Sequence, residues 1–342
     1  MTGRPAAARL RRGLRLRRQL GLSLGLWLSL GLGLGGEGPV AGQEAEGGAQ
    51  GEHPGRAIYE RWCAGCHGSD GTGDGVAAAY MLPRPRDFTG GTYQIRTTAS
   101  GELPTDADIL RVIDVGMPGT AMPGWEDHLS LEQREALVDY LKSFSRFFDP
   151  DEPPEPIEIA DPPGADADAL ARGRALYERF ECADCHGVEG RGDGPSAPTM
   201  DDENGFPIRP ADLTENWNFN GGGSVEAIYT RLLTGLNGTP MPSLQDVVAA
   251  GQASTEDIWD LAHYVRSLSP EEPPRPAEVL RARRTEAALP TTPDDPAWAD
   301  VERAYVPLVG QVIAKPRKFA PTVDGVWVQA LHDGTTLALR LS

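Results

Sequence analysis

Apolar and aromatic positions fall at helical spacing over residues 55–67 and again over 173–186, and each run leads into a cysteine-rich string. Two further helices are predicted in SLEQREALVDYLKSF (130–144) and STEDIWDLAHYVRSL (254–268), where Ser130 with Gln133 and Ser254 with Asp257 occupy capping positions. Shorter helical patterns lie at 106–115 and 224–234, and the stretches between them are rich in Gly and Pro, which predicts loops. The C-terminal end reads differently. VWVQALHDGTTLALRLS (326–342) alternates apolar and polar residues around Asp333-Gly334, a hairpin signal, and AYVPLVGQVI (304–313) predicts one more strand. Two or three strands make no stable sheet alone. The segment therefore reads as the opening of a longer β domain, cut off here or completed by another chain.

The first 42 residues stand apart from this pattern. Six arginines between Arg9 and Arg18 precede a Leu/Gly stretch, Leu20 to Leu34, and small residues follow around Val40-Ala41-Gly42. That is the layout of an export signal. Its fifteen apolar residues fall short of the roughly 20 that span a bilayer, so a retained membrane anchor is the second reading. Without 1–42, which holds seven Arg and one Glu, the net charge moves from −18 to −24. So acidic a surface repels nucleic acid and favours a basic docking face on a partner.

At 342 residues the chain has room for two or three domains, and it repeats itself. Cys63, Cys66 and His67 recur as Cys182, Cys185 and His186, an offset of 119 residues. The same offset relates Gly73-Asp74-Gly75 to Gly192-Asp193-Gly194, and GTAMP (119–123) to GTPMP (238–242). The units are assigned to 50–148 and 169–269. Residues 149–168, acidic and proline-rich, predict an extended spacer that keeps the two cores apart. A second linker, 270–296, precedes the β segment at 297–342.

All four cysteines lie in the two C-x-x-C-H strings. A redox disulfide has no use for the adjoining histidine. A zinc site needs four ligands, and each unit falls one short. C-x-x-C-H is the signature of c-type haem attachment, in which two thiols bond the porphyrin and the next imidazole faces iron. Met122 and Met241 each lie 55 residues after the histidine of their unit and supply the sixth ligand in this reading, whereas Met117 has Leu236 opposite it. Met81, Met117 and Met200 read as packing residues, and His53, His128, His263 and His332 as surface or core residues. The GDG segments read as tight turns. Arg84 and Arg209, each in Arg-Pro-x-Asp, are candidates to pair with haem propionates or to be solvated loop residues.

On these motifs the chain resembles the class I cytochrome c family twice over, through CAGCH, CADCH, the Met-Pro loops and opening and closing helices bearing Gly55/Tyr59 with Tyr140 and Gly173/Tyr177 with Tyr264. The resemblance implies a mainly α protein of two tandem helical domains around haem, with two covalent haem c groups and a role as electron carrier. The family's first and last helices cross, and the small residue allows their close approach. No proline shared by the two units follows GDG, so the carbonyl that orients each proximal imidazole is left open. Residues 298–342 resemble the start of the haem-b-binding β-sandwich in the γ subunit of ethylbenzene dehydrogenase and related molybdenum-enzyme partners, through WADV, VPLVGQ and WVQALHDGTTLALRL. A haem b there would require a completed domain, with Lys315 or Lys318 as a guess for its ligand. The expected function is an exported, periplasmic dihaem cytochrome c that carries single electrons between a respiratory donor and a terminal oxidoreductase. The alternative is a peroxidase in which one haem opens its Met position.

Overall fold

A computed structural model describes residues 53–319, 323 and 325–342, so residues 1–42, expected to be an export signal, lie outside the described residues. Among the described residues no helix is long and apolar enough to cross a membrane. In the first unit α1 (Arg56–Trp62) and α2 (Ala64–His67) meet at Cys63, and α3 (Asp106–Val115) and α4 (Leu131–Lys142) follow. The second unit repeats them as α5 (Ala167–Arg179), α6 (Ala183–His186), α7 (Val225–Thr234) and, after a short α8 (Gln245–Ala249), α9 (Thr255–Ser267). Both capping boxes read from the sequence form. A third, Thr105 with Asp108, starts α3. Helix α5 begins ahead of residue 173 because the Asp166 carboxylate accepts the Ala169 N–H at 2.8 Å and satisfies an end that would otherwise fray. Helices frame each unit, yet loop residues outnumber helical ones in both.

Opening and closing helices cross at a glycine. A Cβ on Gly55 would run into the Ala136 carbonyl and the Tyr140 Cβ, and one on Gly173 into the Asp260 carbonyl and the Tyr264 Cβ. Beside each crossing two tyrosines meet edge to face, Tyr59 with Tyr140 at 5.3 Å and Tyr177 with Tyr264 at 5.5 Å. The cores are separate. One gathers Tyr59, Ile109, Leu137 and Leu141, and the other Tyr177, Ile228, Ile258 and Leu261.

The linker 149–168, expected as an extended spacer, is tied to both units. Ile157 N–H donates to the Thr97 carbonyl at 2.8 Å, Ile157 and Ile159 pack against the second core, and the Pro163 carbonyl lies 2.8 Å from His263 Nε2. Proline stiffened the strap without detaching it, and the units dock on each other.

The C-terminal residues form a four-stranded sheet, β1 (Arg283–Arg284), β2 (Ala304–Pro307), β3 (Gly325–His332) and β4 (Leu337–Leu341). The expected hairpin is β3–β4, paired from Val328↔Leu341 to His332↔Leu337. Two readings are corrected. The strand expected over 304–313 stops at Pro307, which has no N–H to continue a ladder. The linker 270–296 is not wholly a linker, because β1 pairs parallel with β3 there. A small core of Trp298, Val301 and Leu331 backs the sheet. Beneath it the buried Gln329 Nε2 donates to the carbonyls of Trp298 at 2.9 Å and Val301 at 2.6 Å.

Candidate functional site

Each C-x-x-C-H string sits at a helix junction. The first cysteine's carbonyl accepts the histidine N–H, His67 from Cys63 and His186 from Cys182, at 2.9 Å in both units. One helical turn thus places the two thiols and the imidazole on one short element. The four cysteines form no disulfide with one another and are half-buried. Burial, followed by the neighbouring cysteine, pushes the Cys63 thiol up to about 11; burial pushes Cys182 to about 11 as well and raises Cys66.

The GDG segments close back on these helices as the turns they were read to be. Gly73 N–H donates to the His67 carbonyl at 2.8 Å and Gly192 N–H to the His186 carbonyl at 2.8 Å, with φ of 75° and 68° at the two glycines. Tyrosines from the opening helices reach the same turns, Tyr59 Oη to the Gly68 carbonyl and Tyr177 Oη to the Gly187 carbonyl, each at 2.7 Å.

The structure answers which carbonyl meets each imidazole. His67 Nδ1 lies 3.0 Å from the Arg86 carbonyl and His186 Nδ1 2.9 Å from the Ala211 carbonyl. Both acceptors are the x of an Arg-Pro-x-Asp segment, a pairing visible in the sequence though its purpose was not. A backbone acceptor on Nδ1 makes that nitrogen the N–H donor and leaves Nε2 as the lone-pair nitrogen, the tautomer a metal ligand needs. Burial lowers the pKa of both imidazoles and holds them neutral, against the opposing pull of these hydrogen bonds. Phe88 stacks on the His67 ring at 4.7 Å and further restricts it.

The methionine loops are twins. Met122 N–H donates to Thr120 Oγ1 at 3.1 Å, and the Met122 carbonyl accepts from Met117 N–H at 3.0 Å; Met241 repeats both contacts with Thr239 and Leu236, each at 3.2 Å. Thr120 and Thr239 hydroxyls in turn donate to the Met117 and Leu236 carbonyls, at 2.7 and 2.8 Å. Met241 packs against the same core as Cys182. The other histidines are engaged elsewhere, His53 with the Gly55 N–H, His128 with Trp125 and His263 with Pro163.

The residues fit a covalently held haem. Among the described residues no group of three or more His, Cys, Asp or Glu is gathered that could hold a metal ion. Thiols and an imidazole with its second nitrogen committed are the donor set that thioether attachment and axial ligation require. In the first unit Tyr93 Oη and Arg84 Nε are buried polar atoms with no partner, leftover donors of the kind an anionic group beside them would satisfy. Arg84 also donates to the Ala78 carbonyl at 2.5 Å and lies 4.7 Å above the Phe206 ring, so it is no solvated loop residue; Arg209 is exposed.

A duplicated thiol–thiol–imidazole turn, with a carbonyl behind each imidazole, defines a c-type haem-binding protein. Residues 50–141 match the family model described as cytochrome c oxidase, cbb3-type, subunit III, and residues 170–269 match that of cytochrome c. A chain of the reducing HAO-like protein complex of Kuenenia stuttgartiensis is similar in structure, with a TM-score of 0.60 and 47% identity, over 64% of this chain and 97% of that one. The cbb3-type cytochrome c oxidase subunit CcoP of Azospirillum sp. (strain B510) is 29% identical over 229 residues, 63% of this chain and 61% of that protein's length. The chain therefore carries two cytochrome c-type domains in tandem, which supports a dihaem cytochrome c.

Proposed function

We propose that this protein is an exported one-electron carrier that works docked within a larger redox assembly, with His67 and Met122 as axial ligands in the first domain and His186 and Met241 in the second. The observation that carries the reading is the identity of the two sites: imidazole Nδ1 on a carbonyl, and a methionine held by its own loop threonine, occur in both domains. Haem, when bound, supplies the one-electron iron couple. The chain supplies two thiols for its attachment, a neutral, oriented imidazole and a thioether that favours the reduced iron and closes it to small substrates.

The relatives support the assembly. One is a subunit of an oxidase and the other a chain of a HAO-like complex, which fits delivery of electrons to a terminal oxidoreductase. The acidic surface fits a basic partner face, and the export-signal layout of residues 1–42 supports a position on the periplasmic side or at its membrane. A partner among molybdenum enzymes, and a haem b in a completed C-terminal domain, rest on the resemblance of 298–342 alone.

Mass spectrometry and absorption spectroscopy of the exported protein test the proposal. Two haem masses, two low-spin His/Met signals, and loss of one such signal in Met122→Ala and of the other in Met241→Ala are expected. Retention of both signals in either variant would remove the ligand assignment. A high-spin site in the unmodified oxidised protein would transfer the reading to a peroxidase.

A further inference from the structure

We infer that the two domains act as one rigid body, closed by a clasp of Arg96 and Arg231, and that this clasp positions the two iron sites for direct electron exchange within the chain. The inference rests on the carrier reading above.

It begins where the repeat fails. His67 and Phe88 are 21 positions apart, whereas His186 and Leu213 are 27 apart. Phe88 and Leu213 are equivalent, since their N–H groups donate to the matching carbonyls of Gly71 and Gly190 at 2.7 and 2.5 Å. Onward to the caps of α3 and α7 the imbalance reverses, with 17 positions from Phe88 to Thr105 and 11 from Leu213 to Ser224. Each domain therefore holds a short insertion that the other lacks. In the second domain it is the turn bridged by Asp201 and Pro207, which carries Glu203; in the first it is the segment after Tyr93, which carries Arg96. Both insertions contact the opposite domain.

Arg96 is wholly buried, with Nη2 donating to the Thr234 carbonyl at 2.7 Å and Nε to the Ala99 carbonyl at 3.2 Å. Arg231 answers from α7, with Nη1 on the Gln94 carbonyl at 3.1 Å and Nη2 on the Arg96 carbonyl. A planar, forked donor meets two carbonyls at once in a fixed geometry. Burial, then the charge of Arg96, brings Arg231 down to about 10, and burial lowers Arg96 as well; a guanidinium is so strong a base that it stays charged at neutral pH. Asp108 offsets part of this cost for both. Burying two such charges is expensive, and two domains tethered only by a linker would need neither.

The clasp sits on the parts that carry the ligands. Thr234 ends α7, and the chain turns at once into the loop that bears Met241. Arg86, whose carbonyl meets His67, extends Nη1 to Glu203 Oε1 at 3.2 Å, and Glu203 N–H donates to the Gly238 carbonyl of the Met241 loop at 3.0 Å. The proximal side of the first site and the methionine loop of the second are thus held in one hydrogen-bonded frame. In the exchange, one electron delivered by an external donor protein leaves the ferrous site of one domain and arrives at the ferric site of the other; no bond or proton changes place.

The test uses the full chain with both haems, partly reduced by a light pulse from a photoexcited one-electron reductant, and follows redistribution between the two sites. Redistribution is expected to be first order and independent of protein concentration. In Arg96→Ala/Arg231→Ala it is expected to slow about ten-fold or more, as reactions do when partners lose fixed orientation, with each site's spectrum and potential unchanged and the 149–168 linker newly open to protease. Arg231→Lys keeps the charge but cannot fork, and carries the same comparison if the double variant fails to fold. A rate proportional to protein concentration, or an undiminished rate in these variants, overturns the inference. Failure of the carrier reading would show separately, as a high-spin or irreducible site in the unmodified protein.

Discussion

Tyr59 donates its phenolic hydrogen to the carbonyl of Gly68 at 2.7 Å, and the same ring packs edge to face on Tyr140. One side chain thereby ties the opening helix, the haem-attachment turn and the closing helix together. Tyr177 repeats the arrangement with Gly187 and Tyr264. Tyr59→Phe keeps the ring and strips the bond, leaving the Gly68 carbonyl only the longer bond from the Gly71 N–H at 3.4 Å, so a loss of about 1–2 kcal/mol is expected. Urea unfolding followed by haem absorbance measures it, and an unchanged midpoint would show that the hydroxyl contributes nothing.

Glycine at the helix crossing predicts a sharper effect. Gly55→Ala or Gly173→Ala drives a methyl group into a backbone carbonyl that cannot move without separating the helices, and about 1–3 kcal/mol of destabilisation is expected from such overpacking. Gly65→Ala is the control, because nothing lies within 4 Å of a Cβ there. Thermal melts of the three variants should separate the first two from the third.

Thr120 and Thr239 should govern how firmly the methionines stay in place. Each hydroxyl accepts the methionine N–H and donates to a carbonyl of the same loop. Thr→Val at either position removes both bonds at nearly constant shape, so an exogenous ligand such as imidazole should bind the oxidised site of that domain more tightly. Titration of each variant reads this out, and affinity equal to the unmodified protein would count against a role for the hydroxyl.

In the β unit Gln329→Leu deprives the Trp298 and Val301 carbonyls of their shared donor. A cost of about 1–3 kcal/mol is expected where buried acceptors lose their partner. Limited proteolysis should cut the C-terminal unit sooner, while both haem spectra stay as they were. A spectral change would mean that the sheet supports the haem domains more closely than its own small core suggests.

The hairpin turn predicts an acid limit of its own. Bonds from the Thr336 and Thr335 N–H groups and the Thr335 hydroxyl hold the Asp333 carboxylate down from 3.8 to about 2. A carboxylate lowered in the folded state stabilises above its unfolded value and loses that contribution as pH falls through the folded one. The turn should therefore persist at pH 4 and open near pH 2, visible in the amide shifts of Thr335 and Thr336; in Asp333→Asn that acid transition should vanish.

The two cytochrome c-type domains of this protein were legible from the residues alone. Two thiols, an imidazole and a distant methionine must recur at set spacings to serve one cofactor, and a duplicated set advertises itself. So do Ser130 and Ser254, because a cap acts within three residues of its own position. Tertiary structure alone decided which carbonyls face His67 and His186, since every residue has a carbonyl and sequence cannot single one out. It alone turned 149–168 from a spacer into a strap and drew Arg283-Arg284 out of a linker into the sheet. It also joined Arg96 and Arg231 to the backbone of the opposite domain. Those contacts centre on the first domain's insertion, where the repeat breaks, and their partners are backbone oxygens up to 138 residues away in sequence, brought near only when both cores have formed.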